Sequence, residues 1–137
     1  ANPNAEAELE DSHSHFVLVE GDEWGIETNT IVHLTEALCG NRERPSVGIL
    51  INGGNIALQE IYLVSTTELR MPVLVIDGSG RAADEISTAS RTGRTSSQLI
   101  RAILAGGNVD IIGIQEGSAA VRARLTERFV TNGDDPA

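Results

Sequence analysis

The 137-residue sequence predicts an α/β fold, in which an open parallel sheet has helices on both faces. Four short aliphatic runs alternate with segments of helical periodicity, the order that parallel strands and crossover helices produce. The strand-like runs are almost continuous in Val, Ile and Leu, as expected for strands buried on both faces. Apolar residues make up 40% of the chain and aromatic residues only 3%, so we expect an aliphatic core.

The elements follow one another in strand–helix pairs. The predicted strands cover residues 15–20, 46–52, 73–77 and 109–114. The helix after the first strand has apolar residues at helical spacing and ends before Gly40, a natural C-cap; these residues are Ile26, Ile31, Leu34 and Leu38. The next helix ends before Met71-Pro72, and its candidate inward positions are Ile56, Ile61, Leu63 and Leu69.

The remaining segments complete one domain. "RAADEISTAS" and "SQLIRAILAGG" are helical segments joined by a flexible "RTGRTSS" linker, and "SAAVRARLTERF" is the closing helix. We expect a disordered acidic leader at residues 1–12, a domain at residues 13–130 and a frayed tail at residues 131–137.

Charge and composition exclude several classes of partner. The net charge is −10, and all ten cationic residues are Arg. A chain this acidic is unsuited to nucleic-acid backbones or anionic membranes, so we expect neither nucleic acid nor direct membrane contact. Cys39 is the one cysteine, which excludes an internal disulfide and favours a reducing, cytoplasmic location. No apolar run approaches the ~18 residues of a membrane span.

Three glycine-containing loops are predicted at the same edge of the sheet. They are "EGDEWG" at residues 20–25, "NGGN" at 52–55 and "DGSGR" at 77–81, and each opens a helix. Ligands of open parallel sheets bind beyond the carboxyl ends of the strands. Helix N-termini there accommodate phosphate, and glycine lets the backbone approach the ligand. Each loop alone is also explained by turn geometry; the three together favour a ligand site.

Side chains in these loops have two interpretations each. Arg81 either grips a phosphate as a bidentate donor or pairs with Asp84 or Glu85 on its own helix. Asp77 either accepts ribose hydroxyls or caps the loop. Trp24 either stacks on a base or sugar or packs in the core.

No metal site, cofactor or catalytic group stands out from the residues alone. His13 and His15 have the spacing of two ligands, but no matching cluster of acids or cysteines accompanies them. "EGSAA" lacks the second glycine of a nucleophile elbow. We therefore predict no cofactor, no metal and no catalytic residue, with one exception that depends on a family resemblance.

Three stretches, in order, resemble the SLOG domain found at the cytoplasmic N-terminus of TRPM (melastatin) channels and in prokaryotic relatives. They are "HSHFVLVEGDEWGIET", "PSVGILINGGNIAL" and "PVLVIDGSGRAADEI", which match a strand and turn of the form "HF.LV..G..G", a "GG" loop and a "DGSGRASD"-like loop. The resemblance covers residues 13–90 best. It implies a Rossmann-like fold that binds or senses nucleotide derivatives such as ADP-ribose or other products of NAD metabolism.

Ligand contact is carried over by motif. The resemblance assigns it to the Trp24–Gly25 turn and to Gly53, Gly54, Gly78, Ser79, Gly80 and Arg81. Members of the family usually begin with an earlier βα unit that carries its own glycine-rich loop. We therefore expect the chain to be the C-terminal portion of a longer domain, to pair with a missing N-terminal half, or to form a homo-oligomer.

An enzymatic alternative comes from the lonely-guy phosphoribohydrolases of the same superfamily. Their "PGGxGTxxE" motif resembles "NGGNIALQE", which keeps Gly53, Gly54 and Glu60. Ile56-Ala57 replace Gly-Thr, so the loop is bulkier and lacks a hydroxyl, and we expect Glu60 to face solvent. Binding of a nucleotide derivative is therefore favoured over N-glycosidic hydrolysis of nucleoside monophosphates; a structural or interaction domain with a vestigial site is the third possibility.

Overall fold

A computed structural model describes residues 9–40, 43–106 and 108–130. The described residues form three strands, five α-helices and one short 3₁₀ turn. In order, they are α1 (Thr28–Cys39), β1 (Gly48–Ile51), α2 (Asn55–Thr66), β2 (Val73–Asp77), α3 (Arg81–Thr92), α4 (Gln98–Gly106), β3 (Val109–Gly113), a short 3₁₀ turn (Ile114–Glu116) and α5 (Gly117–Val130).

The strands form one parallel sheet in the order β1-β2-β3. Gly48 is opposite Val73, which in turn is opposite Val109, so the three strands start level with one another. This arrangement confirms the predicted open α/β sheet. It also puts the loops after β1 and β2 at a common edge, because parallel neighbours end on the same side.

Helices cover both faces of β2, as predicted. Val73 and Val75 are fully buried against a cluster from α2, α3 and α4, including Ile86 and Ile103. Leu74 and Ile76 point to the opposite face and pack with Ile112 and the apolar side of α5. The alternation follows from the two-residue period of a strand, and the first four β2 side chains are buried because helices lie on both faces.

Helix α1 packs against α2, but with a different face from the one that its apolar spacing indicates. Its buried residues are Thr28, Val32 and Cys39, and the last two join Val64 and Met71 in a separate cluster. The apolar residues singled out in the sequence are exposed; these are Ile26, Ile31, Leu34 and Leu38. The prediction for α2 is better, since Ile61 and Leu69 are buried and Ile56 and Leu63 are half-buried.

The predicted strand at residues 15–20 is wrong. These residues have no regular secondary structure, and Phe16, Val17 and Leu18 are exposed. A strand exists only where its backbone joins a ladder, and no backbone hydrogen bond links this segment to β1 or to any other described residue. An aliphatic run is therefore insufficient by itself, because a strand also requires that its backbone pair with a neighbouring strand.

The outer side of β1 is apolar and uncovered. Gly48 donates its N–H to Pro72 beside β2, so the backbone groups of Ile49 and Ile51 point to the opposite side, the free edge of the sheet. Their side chains are 45% and 62% exposed. These side chains are on the face of the sheet that α5 covers, but the described contacts of α5 are with β2 and β3 and leave Ile49 and Ile51 exposed.

Most of the predicted leader and all of the predicted tail lie outside the described residues. Residues 9–12 are exposed. Over the described ranges, no helix is both long enough and apolar enough to cross a bilayer.

Candidate functional site

The loops after β1 and β2 are fastened together by Ser79 and Asn52. The Ser79 hydroxyl donates to the carbonyl of Ile76 at 2.6 Å and accepts from the N–H of Asn52 at 2.7 Å. The Asn52 side chain in turn donates to the Ser79 carbonyl at 3.0 Å. Ser79 is thus a structural link between the loops, a role that the sequence analysis did not assign.

Both loops use backbone conformations that favour glycine. Gly53, Gly78 and Gly80 have φ values of 81°, 85° and 104°. Asn52 is also left-handed at 59°, which Asn tolerates better than most residues. In the sequence, the Asn-Gly-Gly run at residues 52–54 indicates a tight turn after β1. The glycines are therefore required by the sharp exit of each strand, independently of any ligand.

The start of α3 is closed by the neighbouring loop. The N–H groups of Ala82 and Ala83 donate to the carbonyls of Gly53 and Asn52, at 3.4 and 3.0 Å. The carboxylate of Asp84 accepts from the N–H of Gly78 at 2.7 Å. This end of α3 has fewer free donors than the DGSGR motif led us to expect.

The start of α2 has a different character. Gly54 is its N-cap and provides no side-chain hydrogen bond. In the part of the chain that the structure describes, the N–H groups of Asn55, Ile56 and Ala57 have no acceptor. Three unpaired donors and the positive end of the helix dipole therefore meet at this point.

Arg81 brings its positive charge to that same helix start. A Cβ added to Gly54 would lie 2.6 Å from Nη2 of Arg81, so the guanidinium rests on the Gly54 backbone. Arg81 is also left-handed, with φ 46°, which is unfavourable for a long side chain. No carboxylate among the described residues pairs with it, so the Asp84 or Glu85 ion pair is not formed.

The turn that precedes α1 reaches the same place. A Cβ on Gly25 (φ 93°) would lie 3.4 Å from Ile56 in the first turn of α2. Trp24 beside it is 72% exposed, so the core interpretation of this residue is wrong. The Gly25 turn and Arg81 therefore both lie against the start of α2.

Asp77 is engaged in an ion pair. Its Oδ2 accepts from Nη1 of Arg91 on α3 at 2.6 Å, and the Asp77 side chain is 27% exposed. This contact ties the end of β2 to α3. The loop-capping alternative for Asp77 is not seen among the described residues, since its carboxylate pairs with Arg91 and the Gly78 N–H donates to Asp84 instead. Ribose contact by Asp77 stays a prediction.

Glu60 is half-buried on α2, contrary to the expectation that it faces solvent. Burial raises the pKa of the Glu60 carboxyl above its ordinary 4.5, and the nearby Glu27 carboxylate raises the pKa further. Glu27 itself accepts from the N–H of Gly25 at 2.9 Å. Glu60 lies one helical turn from Ile56, beside the candidate site rather than at the helix start.

A buried hydroxyl lies at the start of α1. Thr28 is only 7% exposed, and its Oγ1 has no hydrogen-bond partner among the described residues.

The described residues contain no group of three or more His, Cys, Asp or Glu side chains that could hold a metal ion.

Comparisons with known proteins agree with the resemblance. The model of the family described as "SLOG in TRPM, prokaryote" matches residues 1–123. A "Transient receptor potential cation channel subfamily M member-like 2" of Nematostella vectensis is 30% identical over 142 residues, 94% of this chain and 9% of that protein. A "Transient receptor potential channel" of Caenorhabditis elegans is 31% identical over 91 residues, 59% of this chain and 4% of that protein.

This chain therefore spans less than a tenth of either relative. No solved structure matches it. The family match covers more than half of the chain and includes all three glycine loops. The chain belongs to the prokaryotic SLOG-in-TRPM family.

Proposed function

We propose that the chain binds a nucleotide derivative, with a phosphate held between the start of α2 and the guanidinium of Arg81. The observation that carries this proposal is the contact of Arg81 with Gly54. A cation at a helix N-terminus opposes the helix dipole. A bound phosphate would convert both the cation and the free N–H groups into favourable partners.

The remaining parts of the ligand have candidate partners nearby. Trp24 is 72% exposed on the turn that packs against Ile56, and an indole ring at this position is suited to stacking on a base. Family membership supports this ligand class, because the resemblance to SLOG domains implies binding of nucleotide derivatives. The chain then acts as a ligand-sensing domain of a larger protein.

A thermal-shift screen tests the ligand class. We expect AMP, ADP-ribose or NAD to raise the melting temperature, because a ligand that binds only the folded state stabilises it by mass action. Adenosine provides the control, since it has the base and sugar without the phosphate. Equal shifts with adenosine and AMP would contradict a phosphate-centred site.

Hydrolysis is a second candidate, favoured by the raised pKa of Glu60. A half-buried carboxyl that holds its proton more strongly is suited to general acid–base chemistry. Release of free base from AMP, lost in Glu60→Gln, would establish it. Binding of AMP without any release favours a sensor.

An interaction domain is the third candidate, favoured by apolar residues left uncovered around α1 and β1. They include Phe16, Leu18, Leu38, Ile49 and Ile51. Exposed apolar surface of this kind marks protein interfaces. Sedimentation of the chain and of an Ile49→Glu/Ile51→Glu variant tests it: self-association that the variant abolishes supports a homo-oligomer.

A further inference from the structure

A cavity lies at the amino ends of the strands, on the opposite side of the sheet from the glycine loops. Its volume is about 490 Å³. Ser46, Pro72 and Asn108 line it, and these residues come shortly before β1, β2 and β3. The cavity therefore lies at the amino ends of all three strands.

Arginines dominate the charge of this cavity. Four of the ten arginines of the chain line it: Arg44, Arg70, Arg124 and Arg128. Two carboxylates, Asp110 and Glu127, also line it, so positive charge is in excess among the described lining residues. The chain as a whole carries −10, which makes a local positive excess unexpected without a specific use.

The ion pairs between described residues do not neutralise all four guanidiniums. Arg128 donates to Asp110 at 2.7 Å, and this pair is largely shielded, with side chains 22% and 32% exposed. The ion pair between Arg124 and Glu127 is long, at 3.8 Å, and both side chains are more than half exposed, so it is weak. Arg44 reaches a backbone carbonyl, that of Leu38, at 3.4 Å.

Arg70 is held at the cavity by an unusual backbone. Its φ is 41°, in the left-handed region that favours glycine. Its neighbours Leu69 and Met71 are buried, and its N–H donates to Thr67 at 3.1 Å, so the turn is anchored on both sides. The Arg70 side chain is exposed and forms no hydrogen bond or ion pair with a described residue.

We propose that this cavity binds a small polyanion that carries at least two phosphate or carboxylate groups. Guanidinium groups recognise such oxyanions through paired hydrogen bonds, better than lysine does. The volume falls within the ~300–1,000 Å³ usual for small-molecule sites. Leu69, Pro72 and Phe129 add apolar wall, which suits a ligand with an organic part.

The oxyanions have two possible sources. One is a free small molecule. The other is the chain itself, because Asp134 and Asp135 follow α5, and the α5 residues Arg128 and Phe129 line the cavity. An Asp134→Asn/Asp135→Asn variant separates the two sources, since it removes the internal carboxylates and leaves the cavity intact.

Calorimetric titration with inorganic pyrophosphate tests the proposal. The Arg81→Ala chain is the background, so that the glycine-loop edge contributes little. We expect binding that weakens at least tenfold in Arg70→Ala and in Arg124→Ala. Arg122→Ala is the matched control, because Arg122 lies on the same helix, is exposed and does not line the cavity.

Each outcome of the pyrophosphate titrations either supports or overturns the proposed anion site. Tighter binding by the Asp134→Asn/Asp135→Asn variant identifies the internal carboxylates as competitors and supports the site. Equal binding by this variant and its parent assigns the site to a free anion. Absence of binding by both, or equal affinities in Arg70→Ala, Arg124→Ala and Arg122→Ala, overturns the proposal.

Discussion

The guanidinium of Arg81 lies against the backbone of Gly54, so that a methyl group added to Gly54 would fall 2.6 Å from Nη2 of Arg81. This contact joins the loop after β2 to the N-terminus of α2. It places a cation where the helix dipole is already positive and where backbone donors are unpaired. The proposed phosphate site depends on this one relationship.

Gly54→Ala is expected to displace Arg81 and to lower nucleotide affinity about tenfold or more. Gly54 has φ −116° and ψ −160°, which any residue adopts, so the substitution does not strain the backbone. Isothermal titration with AMP measures the affinity. Gly106→Ala is the control, since its added methyl would meet only Thr66 at an ordinary 3.8 Å. Unchanged affinity in Gly54→Ala would show that the contact has no role in binding.

Ser79→Ala is expected to lower the free energy of unfolding by about 1 kcal/mol, the usual net value of a lost hydrogen bond. The substitution removes the hydroxyl that joins Asn52 to Ile76: the exposed Asn52 N–H loses its acceptor, and the buried Ile76 carbonyl keeps only the longer bond from the Ser79 N–H, at 3.3 Å. Urea denaturation measures the change. Ser90→Ala, at an exposed position of α3, is the control. Equal stabilities of the two variants would mean that Ser79 does not link the loops.

Glu60→Gln is expected to stabilise the chain at neutral pH. Because burial and Glu27 raise the pKa of Glu60 in the folded state, folding favours the protonated carboxyl. The contribution of the protonated Glu60 carboxyl to folding stability is complete below the ordinary pKa of 4.5. It is lost as the pH rises through the higher pKa of the folded state. The stability gap between variant and wild type therefore closes on acidification.

Thermal melts of Glu60→Gln from pH 4 to 8 measure this gap, with the exposed Glu85→Gln as control for the loss of one charge. A gap that does not depend on pH, or that matches the control, would contradict the raised pKa.

The sequence predicts β1, β2, β3 and the common edge of their loops because these features depend on local pattern. Val73 and Val75 alternate with Leu74 and Ile76 in an aliphatic run that both faces bury. The run at Phe16–Val19 has the same pattern, yet it forms no strand, because pairing depends on a distant partner and not on the run itself. The same limit applies to α1, which buries Val32 instead of Leu34 and Leu38.

The site was predictable at the level of loops but not of contacts. Glycine spacing identified the Gly53–Gly54 and Gly78–Gly80 turns. It could not show that carbonyls of one loop occupy the start of α3, nor that Arg81 crosses to α2. These contacts depend on the distance between neighbouring strands and on the left-handed backbone of Arg81.

The most direct test of the phosphate site is a calorimetric titration of wild type, Arg81→Ala and Arg122→Ala with ADP-ribose. Arg81 is exposed and has no ion pair with a described residue, so its removal leaves stability almost unchanged. We expect Arg81→Ala to bind at least tenfold more weakly, a loss of about 1.4 kcal/mol or more, and Arg122→Ala to bind like wild type. Equal affinities of all three proteins would contradict the account.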